Sequence, residues 1–242
     1  IPVNPSYIQA VSSLGATILN VSKWLNSVTI YTTSSAIVDA IEQLPFVLTV
    51  EKSNLNNVPP EISQKPFFEA ETYGDFSNIK PVESLSSGKS YNYGQAFNQI
   101  SMLNGIALHD LGYNGTGMTI AVLDAGFLNT NTIPAFNYLW NNNRILGSKD
   151  FVDPLNPNIF GSHSHGTSVL STMGANLTGQ IIGTAPEASY WLLRSEDGGS
   201  EYLIEELNWV SAAEFADSVG ADVINSSLGY TTFDDPAQNH TY

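Results

Sequence analysis

A continuous, largely apolar run, Met118-Thr119-Ile120-Ala121-Val122-Leu123, leads directly into an acid, Asp124. Such a run lacks the alternation of a half-solvated strand and fits a strand covered on both faces, the habit of parallel sheets. A carboxylate placed straight after it is poorly placed for bulk water and needs a partner. Helical and strand patterns then alternate. A small-residue helix is expected at about Gly166 to Gly174, a strand at Ser189 to Leu193, and a long helix at Ser200 to Ser218 with Leu203, Leu207 and Val210 on one face. Gly220 ends that helix, and Asp222 to Asn225 gives a third strand. Strands alternating with helices predict an α/β, doubly wound parallel sheet, with its chemistry at the carboxyl ends of the strands.

The first fifty residues follow another pattern. Asn4 before Pro5 is a helix start, Ile8, Val11 and Leu14 mark one face, and Gly15 ends the helix. Thr17 to Asn20 and Asn26 to Thr32 are short strand candidates. Ser34 caps a second helix with Ile37, Ile41 and Leu44 on its stripe, Pro45 stops it, and Phe46 to Lys52 reads as a last strand. Helix–strand–strand–helix–strand is a split βαβ order lacking its first strand, a small α+β, ferredoxin-like unit. About fifty residues bury only a marginal core, so this unit needs a partner. Between the two patterns, Ser53 to Ser90 is rich in Asn, Pro, Ser, Glu and Lys, holds no sustained hydrophobic period, and reads as an exposed connector. The expected division is therefore 1–52, 53–90 and 91–242. No internal repeat is present.

Composition removes several functions. The 242 residues carry 8 Lys+Arg against 23 Asp+Glu, a net charge of −15, and residues 91–242 hold only Arg144, Lys149 and Arg194 as cations. A chain so poor in cations cannot neutralise a run of phosphates, so no nucleic-acid partner is expected. No apolar stretch reaches the ~18 residues that span a bilayer, so no membrane partner is expected either. The absence of cysteine excludes disulfides, thiolate metal sites and a Cys nucleophile. The chain opens Ile1-Pro2-Val3 without a Met or a signal-like segment, and is expected to be an internal piece.

Chemistry-bearing residues gather at the predicted strand ends. His163-Ser164-His165-Gly166-Thr167-Ser168 opens the small-residue helix 41 residues after Asp124. Gly183-Thr184-Ala185-Pro186 precedes the second strand, and Ile224-Asn225-Ser226-Ser227-Leu228-Gly229 follows the third. Singly each is weak: a strand-end Asp more often caps a turn, and a His before Gly is equally often a hydrogen-bonded structural residue. In this order they form a specific constellation.

Residues Gly115 to Gly229 resemble the amino-terminal half of the catalytic domain of a subtilisin-family serine protease (a subtilase). Thr116-Gly117-Met118 through Val122-Leu123-Asp124-Ala125-Gly126 resembles the family's Asp motif, and Ser164-His165-Gly166-Thr167 its His motif. Gly183-Thr184-Ala185-Pro186 resembles the turn that follows, and Val223 to Gly229 the substrate-binding strand. Leu14-Gly15-Ala16, Trp24-Leu25-Asn26-Ser27-Val28 and Leu44-Pro45-Phe46-Val47 resemble the family's inhibitory propeptide. Ala125 stands where the family usually has Ser or Thr, and Ser168 where His is common.

The resemblance implies a secreted bacterial serine endopeptidase in zymogen form, extracellular or on the cell surface, with a subtilisin-like fold incomplete in this chain. It implies His165 as the base that takes the proton of a serine hydroxyl, and Asp124 as the acid that orients it. Ser227, Leu228 and Gly229 would line one side of an extended polypeptide substrate, and Gly198, Gly199 and Ser200 the other. The partners implied are that substrate, the intramolecular propeptide, and the remaining C-terminal part of the catalytic domain carrying the nucleophile and the oxyanion donor. The maturation site is expected in the connector. A catalytically inactive, peptide-binding member of the family is the alternative. Gly166-Thr167-Ser168 imitates the start of the family's nucleophile motif but lacks its proline, and Ser168 follows His165 by three residues on one helix, on a different face; it is read as a helix residue. His163 is read as a neighbour of the site. Asp234, Asp235 and Asn239 offer oxygens of the kind Ca²⁺ takes, although an acidic surface turn is the plainer reading. The chemistry itself requires no cofactor. Trp24, Trp140, Trp191 and Trp209 are read as packing residues.

Overall fold

The computed structural model describes residues 3–53, 91–155 and 157–240. The connector and the expected maturation site fall almost wholly in 54–90, outside the described residues.

The amino-terminal unit begins with α1 (Pro5–Ser13), capped by Asn4, whose side chain accepts the Ser6 amide at 3.0 Å. Gly15 ends it at φ +99°, a value that glycine adopts without strain. β1 (Thr17–Ser22) and β2 (Ser27–Tyr31) pair antiparallel, and α2 (Ser35–Glu42) returns across them. Val11, Ala16 and Ile41 are buried between these elements, packed by Ile18, Val28, Ile30, Ile37 and Leu44. The strand expected at Phe46 to Lys52 does not form. Phe46 stacks on Tyr7 with ring centroids 4.0 Å apart, and Val47 and Val50 pack on the core, but Leu48 is 95% exposed. The segment is held by side chains rather than by a strand ladder, so the unit is a two-stranded hairpin under two helices, not the three-stranded split βαβ sheet expected.

Two short helices, α3 (Phe97–Met102) and α4 (Gly105–Asp110), lead into the larger unit. There β3 (Thr119–Asp124) is followed by α5 (Asn137–Asn141), β4 (Ile145–Asp150), α6 (His165–Gly174), a β5 (Asn176–Leu177) and β6 (Ile181–Ile182) pair, β7 (Ser189–Arg194), α7 (Leu203–Ser218) and β8 (Val223–Ser226). The sheet order is β4-β7-β3-β8, and every pairing is parallel. β3 has a neighbour on each side, and Ala121, Val122, Leu123 and Asp124 have no exposed surface, as the apolar run predicts. On one face Val122, Leu170, Tyr190 and Leu192 pack with Phe127, Phe136 and Leu139; on the other Ala121, Leu123 and Leu193 pack against Ala212, Ala213 and Ala216 of α7.

The buried side of α7 differs from expectation. Leu203, Leu207 and Val210 are only half-buried, while Glu205, Asn208, Ser211, Ala212, Ala213, Glu214 and Ala216 are buried. The reason is that α7 is covered twice: small residues let it approach the sheet, and polar ones meet the hairpin of the first unit. Asn20 donates from Nδ2 to the Phe151 carbonyl and to Asn208 Oδ1, each at 2.9 Å. Glu214 accepts from the Ser22 hydroxyl, from the Lys23 amide at 2.9 Å and from the Trp24 amide at 3.0 Å. Lys23 lies 3.6 Å from Asp217. Trp24, in this turn, is 53% exposed, contrary to its reading as a packing residue.

Candidate active site

Asp124 ends β3 and His165 begins α6, so the site is built where a central strand stops and a helix starts. His165 Nδ1 is 2.8 Å from Asp124 Oδ1, and the same oxygen accepts the Ala125 amide at 2.7 Å. A carboxylate acceptor at Nδ1 places the imidazole proton there and leaves Nε2 with the lone pair that a general base uses. Burial raises the pKa of Asp124 above the ordinary carboxylate value, opposed by the hydrogen bond and charge of His165 and by the Ala125 amide. Asp124 Oδ2 is buried with no hydrogen-bond partner among the described residues.

Two glycines let the helix close on the strand end. Gly126 has φ +153°, and a Cβ there would meet Ser162 Oγ at 2.1 Å and the His163 amide nitrogen at 2.6 Å. Gly166, next to the histidine, packs directly on this turn. His163 Nδ1 accepts the His165 amide at 3.1 Å, and the two rings are 6.4 Å apart, which makes it a neighbour holding the helix start. Ser168 Oγ points back to the Ser164 carbonyl at 3.4 Å.

The loop after β7 comes to the histidines: a Cβ on Gly198 would stand 2.7 Å from His163 Cδ2. Asp197 shapes this loop, accepting the Gly199 amide on Oδ1 at 3.2 Å and the Ser200 amide on its carbonyl at 3.1 Å. Ser200 Oγ lies 3.4 Å from Glu205 Oε1. Across β3, Ser227 and Gly229 are exposed and Leu228 half-buried after β8, with open space around Gly229. Ser53 reaches the start of α7, its carbonyl accepting the Ile204 amide at 3.2 Å.

Asp234 and Asp235 are engaged by backbone. Asp234 Oδ2 accepts the Glu201 amide at 3.2 Å and Asp235 Oδ1 the Ala237 amide at 3.0 Å, while Asn239 Oδ1 accepts Phe233 at 2.7 Å. The three carboxylates that do gather are Glu196, Glu201 and Glu205, with oxygens within 4.8 Å of one another. Tyr230 is buried beside them, and burial followed by these charges drives its pKa far up.

Sequence reasoning passed over Arg194, the last residue of β7, and Glu214 on α7. Arg194 was legible by the same sign as Asp124, a charge closing an apolar strand. Glu214 gave no sign of its own, because its partners are 190 residues away.

An all-parallel sheet with an Asp–His pair at its carboxyl edge defines a hydrolase-like site, and the comparisons name the family. Residues 115–241 match the Subtilase family model, more than half of the chain, and the chain belongs to that family. Residues 1–66 match the Peptidase S8 propeptide domain of Bacteroidota. Subtilisin E of Bacillus subtilis (strain 168) is 36% identical over 138 residues, covering 55% of this chain and 32% of that relative. Subtilisin Savinase of Lederbergia lenta is 32% identical over 135 residues, covering 54% and 44%. The crystal structure of MycP1 from the ESX-1 type VII secretion system aligns with a TM-score of 0.42 at 19% identity, covering 65% of this chain and 43% of that one. The chain thus spans a third to a half of the curated relatives it matches. Among the described residues no helix is long and apolar enough to cross a membrane.

Proposed function

We propose that this chain is the propeptide and the amino-terminal part of the catalytic domain of a secreted serine endopeptidase in its zymogen form. The observation that carries this reading is the 2.8 Å contact between His165 Nδ1 and a buried Asp124. His165 Nε2 takes the proton of a serine hydroxyl as that oxygen attacks the scissile carbonyl, and returns it to the leaving amine. Asp124 holds the tautomer and stabilises the imidazolium. The serine is supplied by sequence beyond Tyr242, in the portion of the relatives that this chain does not cover. Ser227, Leu228 and Gly229 on one side, and Gly198, Gly199 and Ser200 on the other, receive the substrate as an added strand.

Residues 1–52 are the inhibitory domain, 53–90 the linker that is cut at maturation, and 91–242 the catalytic portion. The Glu214 contacts support the docking of the first on the third. A structural Ca²⁺ belongs to the same reading; one oxygen each of Asp234 and Asp235 accepts an amide, and the carboxylates that lie together among the described residues are Glu196, Glu201 and Glu205.

The test is fluorophosphonate labelling of the complete gene product after propeptide removal, with the adduct mapped by mass. One serine beyond Tyr242 is expected to label, and to lose labelling in His165→Ala. A folded, propeptide-free product that does not label overturns the reading in favour of a peptide-binding protein; an adduct on Ser168 overturns the assignment of the His motif.

A further inference from the structure

Arg194 is a partly buried cation, its side chain 14% exposed, at the end of an apolar strand that the Asp124–His165 pair does not itself use. As the last residue of β7 it lies in register with Asp124 of β3 on one side and Asp150 of β4 on the other. Asp150 anchors it. The fully buried Asp150 side chain takes Arg194 Nη1 at 3.1 Å on Oδ2 and 3.4 Å on Oδ1. Asp150 is itself fixed by the amides of Val152 at 3.0 Å, Asp153 at 2.9 Å and Asn158 at 3.2 Å, so it cannot swing. With that end of the guanidinium tied, Nε donates to the Ala125 carbonyl at 3.1 Å. Ala125 is also the residue whose amide sits on Asp124 Oδ1, the oxygen that faces His165. A second arm, Nη2, lies 3.9 Å from Asp197 Oδ1, the atom that accepts the Gly199 amide.

We propose that Arg194 is a positioning residue for the Asp124–His165 pair: it fixes the Ala125 peptide, and through it the Asp124 carboxylate, against the rigid Asp150 anchor. The same guanidinium ties the Asp197–Ser200 loop to that anchor, so one side chain sets both the acid and one proposed edge of the substrate groove. This inference rests on the protease reading. It acts through geometry: its Nε reaches the Ala125 carbonyl, in the turn that follows the acid. That separates arginine from lysine. A planar fork reaches the Ala125 carbonyl and Asp150 in different directions at once, whereas an ammonium keeps the charge and loses the fork.

The deciding variant is Arg194→Lys, because Arg194→Met strands a buried carboxylate and is expected to unfold part of the chain. Two measurements are made on the complete protein: kcat and KM on a fluorogenic peptide, and the His165 tautomer by long-range ¹H–¹⁵N NMR, with thermal stability as the control. Arg194→Lys is expected to lower kcat about a hundredfold, the scale of a small misplacement of a reacting group, with a smaller rise in KM from the loosened Asp197–Ser200 edge. The His165 tautomer is expected to shift from Nδ1–H towards a mixture. A parental kcat with a parental tautomer overturns the proposal, and so does an activity loss that tracks the thermal loss while the tautomer stays put. If the parent protein proves to have no peptidase activity, the protease reading fails on its own, and the tautomer still decides whether Arg194 orients the pair.

Discussion

A Cβ on Gly166 would stand 2.5 Å from the carbonyl oxygen of Gly126 and 2.9 Å from Asp124 Cβ. The helix that begins with His165 therefore presses its second residue onto the backbone of the turn that follows the acid. Those two are backbone and a strand-end Cβ and cannot rotate aside, and a third, Phe127 Cε1 at 2.9 Å, belongs to a fully buried ring. Gly166→Ala is expected to destabilise the chain by about 1–3 kcal/mol, the usual cost of overpacking. It should also lengthen the His165–Asp124 contact and slow fluorophosphonate labelling of the complete protein. Thermal melts together with labelling rates check this; an alanine variant with parental stability would show that the approach is looser than described.

Asp124→Asn should separate stability from function. Burial, the larger influence, raises the Asp124 pKa despite His165, so the folded chain holds this proton more tightly than the unfolded one. The sign follows: this group's stabilising contribution is complete below 3.8, the ordinary Asp value, and is lost as pH rises through the higher folded value. At neutral pH the amide, which carries no charge to bury, is expected to raise the melting temperature while activity falls by about 10⁴-fold through the wrong imidazole tautomer. Melting curves from pH 3 upwards should show the two proteins converging in acid. A variant that melts lower at neutral pH would reverse the sign.

Glu214 gives the opposite pH dependence. Burial acts to raise its pKa, but the hydrogen bonds from Ser22, Trp24 and Lys23 and the Lys23 charge outweigh it and hold the carboxyl below the usual 4.5. Its contribution to docking is present above that value and is lost as pH falls through the lower docked value. Glu214→Gln turns an amide N–H toward a donor and is expected to cost about 1–3 kcal/mol of docking. Hydrogen exchange at the Lys23 and Trp24 amides reads it directly: faster exchange is expected in the variant at neutral pH, relative to the parent, and unchanged rates would dismiss the latch.

The strand and helix that carry the candidate site were readable because a buried parallel strand has its own pattern and a charged residue at its end has few reasons to be there. Asp124 and His165 stood out by that pattern and their order, and their roles as acid and base came from the resemblance to the subtilases. The first unit was less readable. Phe46, Val47 and Val50 look like a strand because they are apolar and β-prone, yet a hydrophobic cover without a ladder has the same composition. On α7 the periodicity of Leu203, Leu207 and Val210 pointed to the wrong side, since a helix packed between a sheet and a polar hairpin buries alanines on one contact and Asn208 and Glu214 on the other. Long-range polar pairs such as Asn20–Asn208 have no local signature at all.

Ser168→Ala is expected to change little. The hydroxyl is exposed and its bond to Ser164 is 3.4 Å long, so stability should stay within about 0.5 kcal/mol and labelling of the complete protein should be unaffected. Loss of labelling in this variant would give the helix serine a chemical part.

β8 pairs with β3 alone among the described strands, and Val223 and Ile224 are 47% and 39% exposed. A strand bonded on one side presents a row of open amides and carbonyls on the other, here with apolar side chains on both faces. Purified by itself, this chain therefore carries a template for self-association, which grows with concentration and is opposed by the net charge of −15, so that added salt favours it.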